Sequence, residues 1–374
     1  MALDLPPLGG EVLPAGVSAR FVDNGNGLRV HLLEAGAGPG RPLVLLLHGF
    51  PELAYSWRKI MPPLAAAGFH VVAPDQRGYG RTTIIGEGAE GSDPADFRML
   101  RLVRDVIGLL PALGRDAAAA VVGHDFGAPV AAWCALLRPD LFPALVLMSA
   151  PFAGPPALAA GPGMAALDAA LAALVPPRKH YQVYYASPAA AAAMDAPAGG
   201  LAAFLRAYYH MKSADWPGNR PFRLASAAAA DLARMPRYYI MDRDASMPAT
   251  VAAALPSPAE IAACRWLSEP ELAVYAAEFA RTGFQGGLHW YHCATAGIGR
   301  EEMQIFAGRA ITVKTLFIAG AADWGVYQMP GSFERMQTLA CADFREAYLI
   351  EGAGHWVQQE QPEAVVARLR DFLG

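Results

Sequence analysis

Short apolar runs separated by turn-forming residues set the rhythm of the first 150 residues. Pro42-Leu43-Val44-Leu45-Leu46-Leu47-His48, His70-Val71-Val72-Ala73, Ala119–Val122 and Leu145–Ser149 are continuous runs, with little or no alternation. A strand reads this way when both its faces are covered. Leu28–Glu34 differs: apolar and polar residues alternate, which predicts a strand with one face in water. Met99–Leu113 and Ala128–Leu137 carry apolar residues at helical spacing. Strands alternating with helices predict a parallel sheet wound on both faces.

The rhythm breaks near Pro151. From there to about Gly308 the chain is alanine-rich and helical in propensity, with many prolines and aromatics and few strand-like runs. Its alanine tracts, such as Ala157–Ala160 and Ala189–Ala193, keep no fixed period, so no solenoid is expected. The strand pattern resumes at Thr312–Ala319 and at Tyr348-Leu349-Ile350, and an amphipathic helix closes the chain at Pro362–Phe372. The expectation is an α/β core built from residues 1–150 and 309–374, with a helical cap at 151–308. Lys212 to Pro258, rich in proline, alanine and aromatics, reads as an added cap loop that narrows an entrance.

Composition narrows the classes. Of 374 residues, 54% are hydrophobic, enough for a large core, and a net charge of −4 without a basic run argues against nucleic acid or an anionic membrane as partner. The four cysteines (Cys134, Cys264, Cys293, Cys341) lack metal-ligand or C-x-x-C spacing and suit a reducing compartment as packing residues. No secretory signal pattern opens the chain, and no apolar run is long enough to span a bilayer. A cytoplasmic location is expected. No Gly-rich phosphate loop and no metal constellation is seen, so no cofactor is expected.

The candidate chemistry centres on Gly123-His124-Asp125-Phe126-Gly127, which follows an apolar strand and precedes a helix. G-x-D-x-G is the layout of a nucleophile elbow with aspartate where hydrolases carry serine. An acidic residue there also suits a helix cap, but two further signals lie downstream in the order expected of a triad. Asp323 follows the Val313–Ala319 strand, and His355 stands in Gly352-Ala353-Gly354-His355-Trp356 after the last strand. A carboxylate is ionised at neutral pH and needs no base to become a nucleophile. It is a weak nucleophile toward acyl groups, so the pattern points to displacement at a saturated carbon, with a neutral imidazole at His355, oriented by Asp323, activating water to clear the ester. Backbone N–H groups of Phe126 and of Phe50, in His48-Gly49-Phe50-Pro51, are placed to hold the resulting anion. Phe50–Pro51 is a candidate cis bond.

His48-Gly49-Phe50-Pro51, Asp75-Gln76-Arg77-Gly78-Tyr79-Gly80, Gly123–Gly127 and Gly354-His355-Trp356 together resemble the soluble epoxide hydrolases of the α/β-hydrolase fold, over nearly the whole chain. The first two motifs are shared with dehalogenases and indicate the superfamily. In the cap, Gly283–Tyr291 and His180–Tyr184 resemble the segments carrying the two ring-opening tyrosines, which implies Tyr291 and Tyr181 in that role. The resemblance implies a small hydrophobic epoxide and water as reactants, with Pro51, His289, Trp290 and Trp356 beside the pocket. His289 stands where the family usually has asparagine, and Phe126 where it often has tryptophan.

A dehalogenase would use the same Asp–His–Asp machinery, but Phe126 offers no indole N–H to a leaving halide. His289-Trp290-Tyr291 is the segment that could cradle one. A binding protein of the same fold without catalysis would not need every catalytic position filled, and all are filled here.

Overall fold

The computed structural model describes residues 5–85, 93–159 and 163–374. Eleven strands occur among them: β1 (Val17–Asp23), β2 (Leu28–Ala35), β3 (Leu43–Leu47), β4 (His70–Pro74), β5 (Thr83–Ile84), β6 (Ala120–His124), β7 (Ala144–Met148), β8 (Arg178–His180), β9 (Ile240–Asp242), β10 (Ile311–Gly320) and β11 (Cys341–Ile350). The main sheet has the order β1-β2-β4-β3-β6-β7-β10-β11, with β5 hung on β2. Pairings from β4 to β11 are parallel, and β1 and β2 add an antiparallel start.

The continuous apolar runs are continuous because the sheet is sandwiched. Leu45, Leu47, Val121, Leu145 and Leu147 face one layer, shared with helices Met99–Ala112 and Gly127–Leu137. Val44, Leu46, Val122, Val146 and Met148 face the other, against Met61 and Leu64 of one helix and Val365, Val366 and Leu369 of the C-terminal helix Pro362–Leu373. Each such side chain contributes about 1.5–3 kcal/mol by leaving water.

The alternation in β2 misleads. Seven of its eight residues are buried, all but Arg29, and its two apolar sets join both layers. Its His31 and Glu34 side chains are not wet but paired inside. His31 Nδ1 lies 2.7 Å from Asp75 Oδ2, and Glu34 lies between Arg20 and His70, 2.7 Å from each. Polar positions here record buried partners from β1, β4 and the following loop, not solvent. The strand at Tyr348–Ile350 is also longer than its apolar signature. β11 runs for ten residues at the sheet's outer side, and its middle, including the exposed Arg345 and Glu346, has the charge expected of an edge strand.

Between β7 and β10 the main sheet receives no strand. This insertion is a helical cap whose longer described helices are Leu201–Lys212, Glu269–Thr282 and Gln285–Ala296, with a ribbon of β8 against β9. The stretch Lys212–Pro258 is not one loop laid over an opening. It holds helix Met247–Ala252 and β9, and the N–H of Tyr181 donates to the Tyr239 carbonyl at 2.8 Å, so this stretch is part of the cap's own wall. Cys134, Cys293 and Cys341 are buried, Cys264 is half-buried, and all four are free thiols. Among the described residues no helix is long and apolar enough to cross a membrane.

Candidate active site

β6 delivers Asp125 into a left-handed backbone conformation, φ 51°, rare for a residue with a side chain. The turn closes only because its neighbours are glycines. A Cβ on Gly123 would lie 2.2 Å from the Gly127 carbonyl oxygen, and one on Gly127 would lie 2.3 Å from that of Leu47. The carboxylate is thereby pushed out at the carboxyl end of the parallel strands, where such sheets place their chemistry.

Each carboxylate oxygen has one partner. Asp125 Oδ1 accepts the Phe50 N–H at 2.9 Å, and Oδ2 lies 3.1 Å from His355 Nε2. His355 Nδ1 lies 3.1 Å from Asp323 Oδ1, which also accepts the Gly325 N–H at 2.7 Å. The three residues come from the turn after β6, the turn after β10 and the loop after β11, over 200 residues of chain, and form one line. Phe50–Pro51 is cis. Phe126, at the start of the next helix, has an N–H without an intrahelical acceptor.

Burial alone would push the Asp125 carboxyl up, but the hydrogen bond and charge of His355, then Lys212 and His124, hold it well below the usual carboxylate range. For His355, burial and Lys212 push the imidazole down, while Asp323 and Asp125 pull it up, and the pull wins. The resting site is therefore an ionised carboxylate beside an imidazole biased toward its charged form.

Tyr181 begins a short helix capped by the His180 side chain, and Tyr291 lies in Gln285–Ala296, which starts beyond Gly283 and ends at a left-handed Gly297. Their rings are 5.9 Å apart. Tyr291 also stands edge-on to Phe50 at 5.4 Å and to Phe126 at 5.1 Å, the two residues flanking Asp125. The Tyr181 hydroxyl donates to Gln328 Oε1 and accepts from Gln182 Nε2, both at 3.2 Å. Burial, then the Asp125 charge, raises both phenols far above their ordinary range and keeps them protonated. The two cap phenols thus stand ring to ring, with Tyr291 against the two phenylalanines beside Asp125.

The expected pocket residues divide. Pro51 is held by its carbonyl, which accepts the Tyr209 hydroxyl at 2.6 Å. Trp290 backs Phe126 at 5.3 Å and spends its indole N–H on the Arg77 carbonyl. Trp356 is fully buried against His355 and Tyr209, with its N–H on the Tyr209 carbonyl. His289 is brought elsewhere: its ring lies on Phe97 at 4.8 Å, on another side of the helix from Tyr291.

Other buried groups tie the loops around the site together. His124 bridges two partners, with Nδ1 2.6 Å from Glu52 Oε2 and Nε2 2.7 Å from the His355 carbonyl oxygen. Gln358 and Gln359 complete Glu52. Glu360 accepts the N–H groups of Gly354, Trp356 and the cap's Ala214, and burial pushes it up to about 8. Nothing in the local sequence around these residues marks them, because their partners are distant in the chain. Among the described residues, no group of three or more His, Cys, Asp or Glu side chains is placed to hold a metal ion.

Residues 42–174 match the family model of the alpha/beta hydrolase fold. The chain is 40% identical over 364 residues to epoxide hydrolase A of Mycobacterium tuberculosis, covering 95% of this chain and 96% of that one. Among solved structures it superposes on epoxide hydrolase A from Mycobacterium thermoresistibile with a TM-score of 0.75 at 37% identity, over 96% of this chain and 98% of that one. An epoxide hydrolase from an endophytic Streptomyces gives a TM-score of 0.76 at 33% identity, with 96% of each chain covered.

Proposed function

The chain belongs to the epoxide hydrolases of the α/β-hydrolase fold, and from that premise we propose that it opens small hydrophobic epoxides to vicinal diols through an ester on Asp125. In the first step an Asp125 oxygen attacks a ring carbon and the C–O bond of the epoxide breaks. The departing oxygen takes a proton from Tyr181 or Tyr291, since an alkoxide is too basic to leave unassisted. In the second step His355 takes a proton from water, and the water oxygen adds to the ester carbonyl. The oxyanion so formed meets the N–H groups of Phe50 and Phe126. The acyl C–O bond of the ester then breaks, and the two protons of the water are passed on, one from His355 to the departing alkoxide and one back to the tyrosinate. The diol leaves with the oxygen that had belonged to Asp125, while solvent oxygen remains in the carboxylate.

What supports this reading is that two protonated cap phenols stand ring to ring, with Tyr291 against Phe50 and Phe126 beside Asp125, whose carboxylate is held by His355 and the Phe50 N–H. Esterification removes one of the two carboxylates that pull His355 toward its protonated form, Asp323 being the other, and so moves the ring toward its proton-accepting form. The apolar walls of Phe50, Phe126 and Tyr185 favour an epoxide with a hydrophobic substituent. The dehalogenase alternative loses ground because the Trp290 N–H, a potential halide donor, is committed to Arg77.

The test is His355→Gln with styrene oxide, followed by weighing the intact protein. A gain of one substrate mass, mapped to the Asp125 peptide, is expected. An unmodified variant, together with halide release by the wild type from haloalkanes, would instead establish the dehalogenase.

A further inference from the structure

Lys212 ends the cap helix Leu201–Lys212 and is 4% exposed. Its ammonium is caged by rings: Tyr239 at 5.3 Å, Trp356 at 5.4 Å, Tyr208 at 5.5 Å and Tyr238 at 5.9 Å. Among the described residues its partners are these π faces and the Tyr208 hydroxyl, not a carboxylate. Cation–π contacts offset part of its desolvation, but a buried cation without a counter-ion projects its field onto whatever lies beyond the cage.

What lies beyond is the catalytic base. The Lys212 carbonyl accepts the His355 N–H at 2.9 Å, and Trp356, whose ring faces the ammonium, stands edge-on to the His355 ring at 4.7 Å. The charged and titratable groups around this pair come from every neighbouring element: Tyr208 on the same helix, Tyr238 and Tyr239 before β9, Asp125 after β6 and Asp323 after β10. His124, at the end of β6, is already bound to Glu52. In the resting site two carboxylates favour an imidazolium at His355, and after esterification Asp323 still does. Catalysis of ester hydrolysis requires the uncharged ring.

We propose that Lys212 is a positioning residue for the second half-reaction: its ring-caged ammonium opposes the Asp323 charge and keeps His355 in the neutral, proton-accepting form once Asp125 is an ester. The proposal rests on the ester reading above for its place in the cycle, while the field of Lys212 on His355 exists in the resting protein. That the Lys212 charge bears on both Asp125 and His355 agrees with it.

The test begins without substrate. In the full-length protein with 15N-labelled histidine, the signal lost in His355→Gln identifies His355. In Lys212→Met, His355 is expected to titrate about one pH unit higher than in the wild type, and Lys212→Arg is expected to restore it. Lys212→Gln serves where the methionine variant fails to fold. With styrene oxide under rapid quench, adduct breakdown in the neutral variant is expected to be about tenfold slower at pH 6 and to converge with the wild type at high pH. An unmoved His355 titration in a folded neutral variant overturns the proposal, as does a breakdown rate reduced equally at every pH. Absence of any adduct in wild type and His355→Gln would instead overturn the ester reading, and the titration would still decide whether Lys212 acts on His355.

Discussion

Replacing Gly49 with alanine should move Asp125, the proposed nucleophile. Gly49 does not have a left-handed backbone, so alanine meets no conformational penalty there. The difficulty is space. A Cβ at Gly49 would lie 2.3 Å from Asp125 Cβ, 2.4 Å from Oδ1 and 2.8 Å from Cγ. Ordinary carbon contacts begin near about 3.5 Å, so Asp125 or the His48–Pro51 loop must yield by about 1 Å. Yielding stretches the Phe50 N–H bond to Oδ1, now 2.9 Å, and misaligns Oδ2 with His355. Overpacking of this size costs about 1–3 kcal/mol of stability. A displacement of about 1 Å at the reacting atom costs on the order of 100-fold in kcat. Thermal unfolding and steady-state hydrolysis of styrene oxide, normalised to folded protein, measure the two effects separately. Gly10→Ala, which meets nothing within 4 Å, is the control. A Gly49→Ala protein with kcat within about twofold of the wild type would show that the carboxylate is not held against this glycine, and the geometry argued here would fail.

Tyr181→Phe and Tyr291→Phe should each slow adduct formation by about 100-fold in the His355→Gln background, and the double variant should form none on the same timescale. Only Tyr181→Phe should also lower stability, by about 1 kcal/mol, because it deprives Gln328 and Gln182 of a partner. A double variant that acquires adduct at the parent rate would remove the phenols from the chemistry. His180 supplies a pH test. Burial pushes its imidazole down to about 4, so the folded protein keeps it neutral while the unfolded chain binds a proton near the ordinary value of 6.5. Its contribution is full above about pH 6.5 and is lost as pH falls toward 4. Urea unfolding of His180→Phe should therefore show a shallower loss of stability between pH 7 and 4, by up to about 3 kcal/mol. Identical pH slopes for the two proteins would rule this out.

The proposed triad was legible because each member announces itself locally. Two glycines bracket Asp125, a strand precedes Asp323, and a glycine-rich loop presents His355, and the structure brings the three into one line. The tyrosines were legible only through resemblance, since helical spacing alone also suits a packed core. His289 shows the limit of that route. It stands two residues from Tyr291, about 200° around the helix, and so packs on Phe97 away from Asp125. His124 adjoins the nucleophile in sequence, yet its role depends on Glu52, 72 residues away, and on the His355 carbonyl, 231 residues away.

The amino-acid sequence by itself determined the alternation of core strands and helices and the elbow with an aspartate at its tip, because turns and apolar runs follow from short-range sterics and from which faces leave water. Only the tertiary structure decided which polar residues share a buried space: the His31–Asp75 and Glu34–His70 pairs inside β2's surroundings, the Glu52–His124 strut, the Glu360 clasp and the caged Lys212. Those partners meet across long stretches of chain, and a charge acquires its chemical meaning from the groups folding sets beside it.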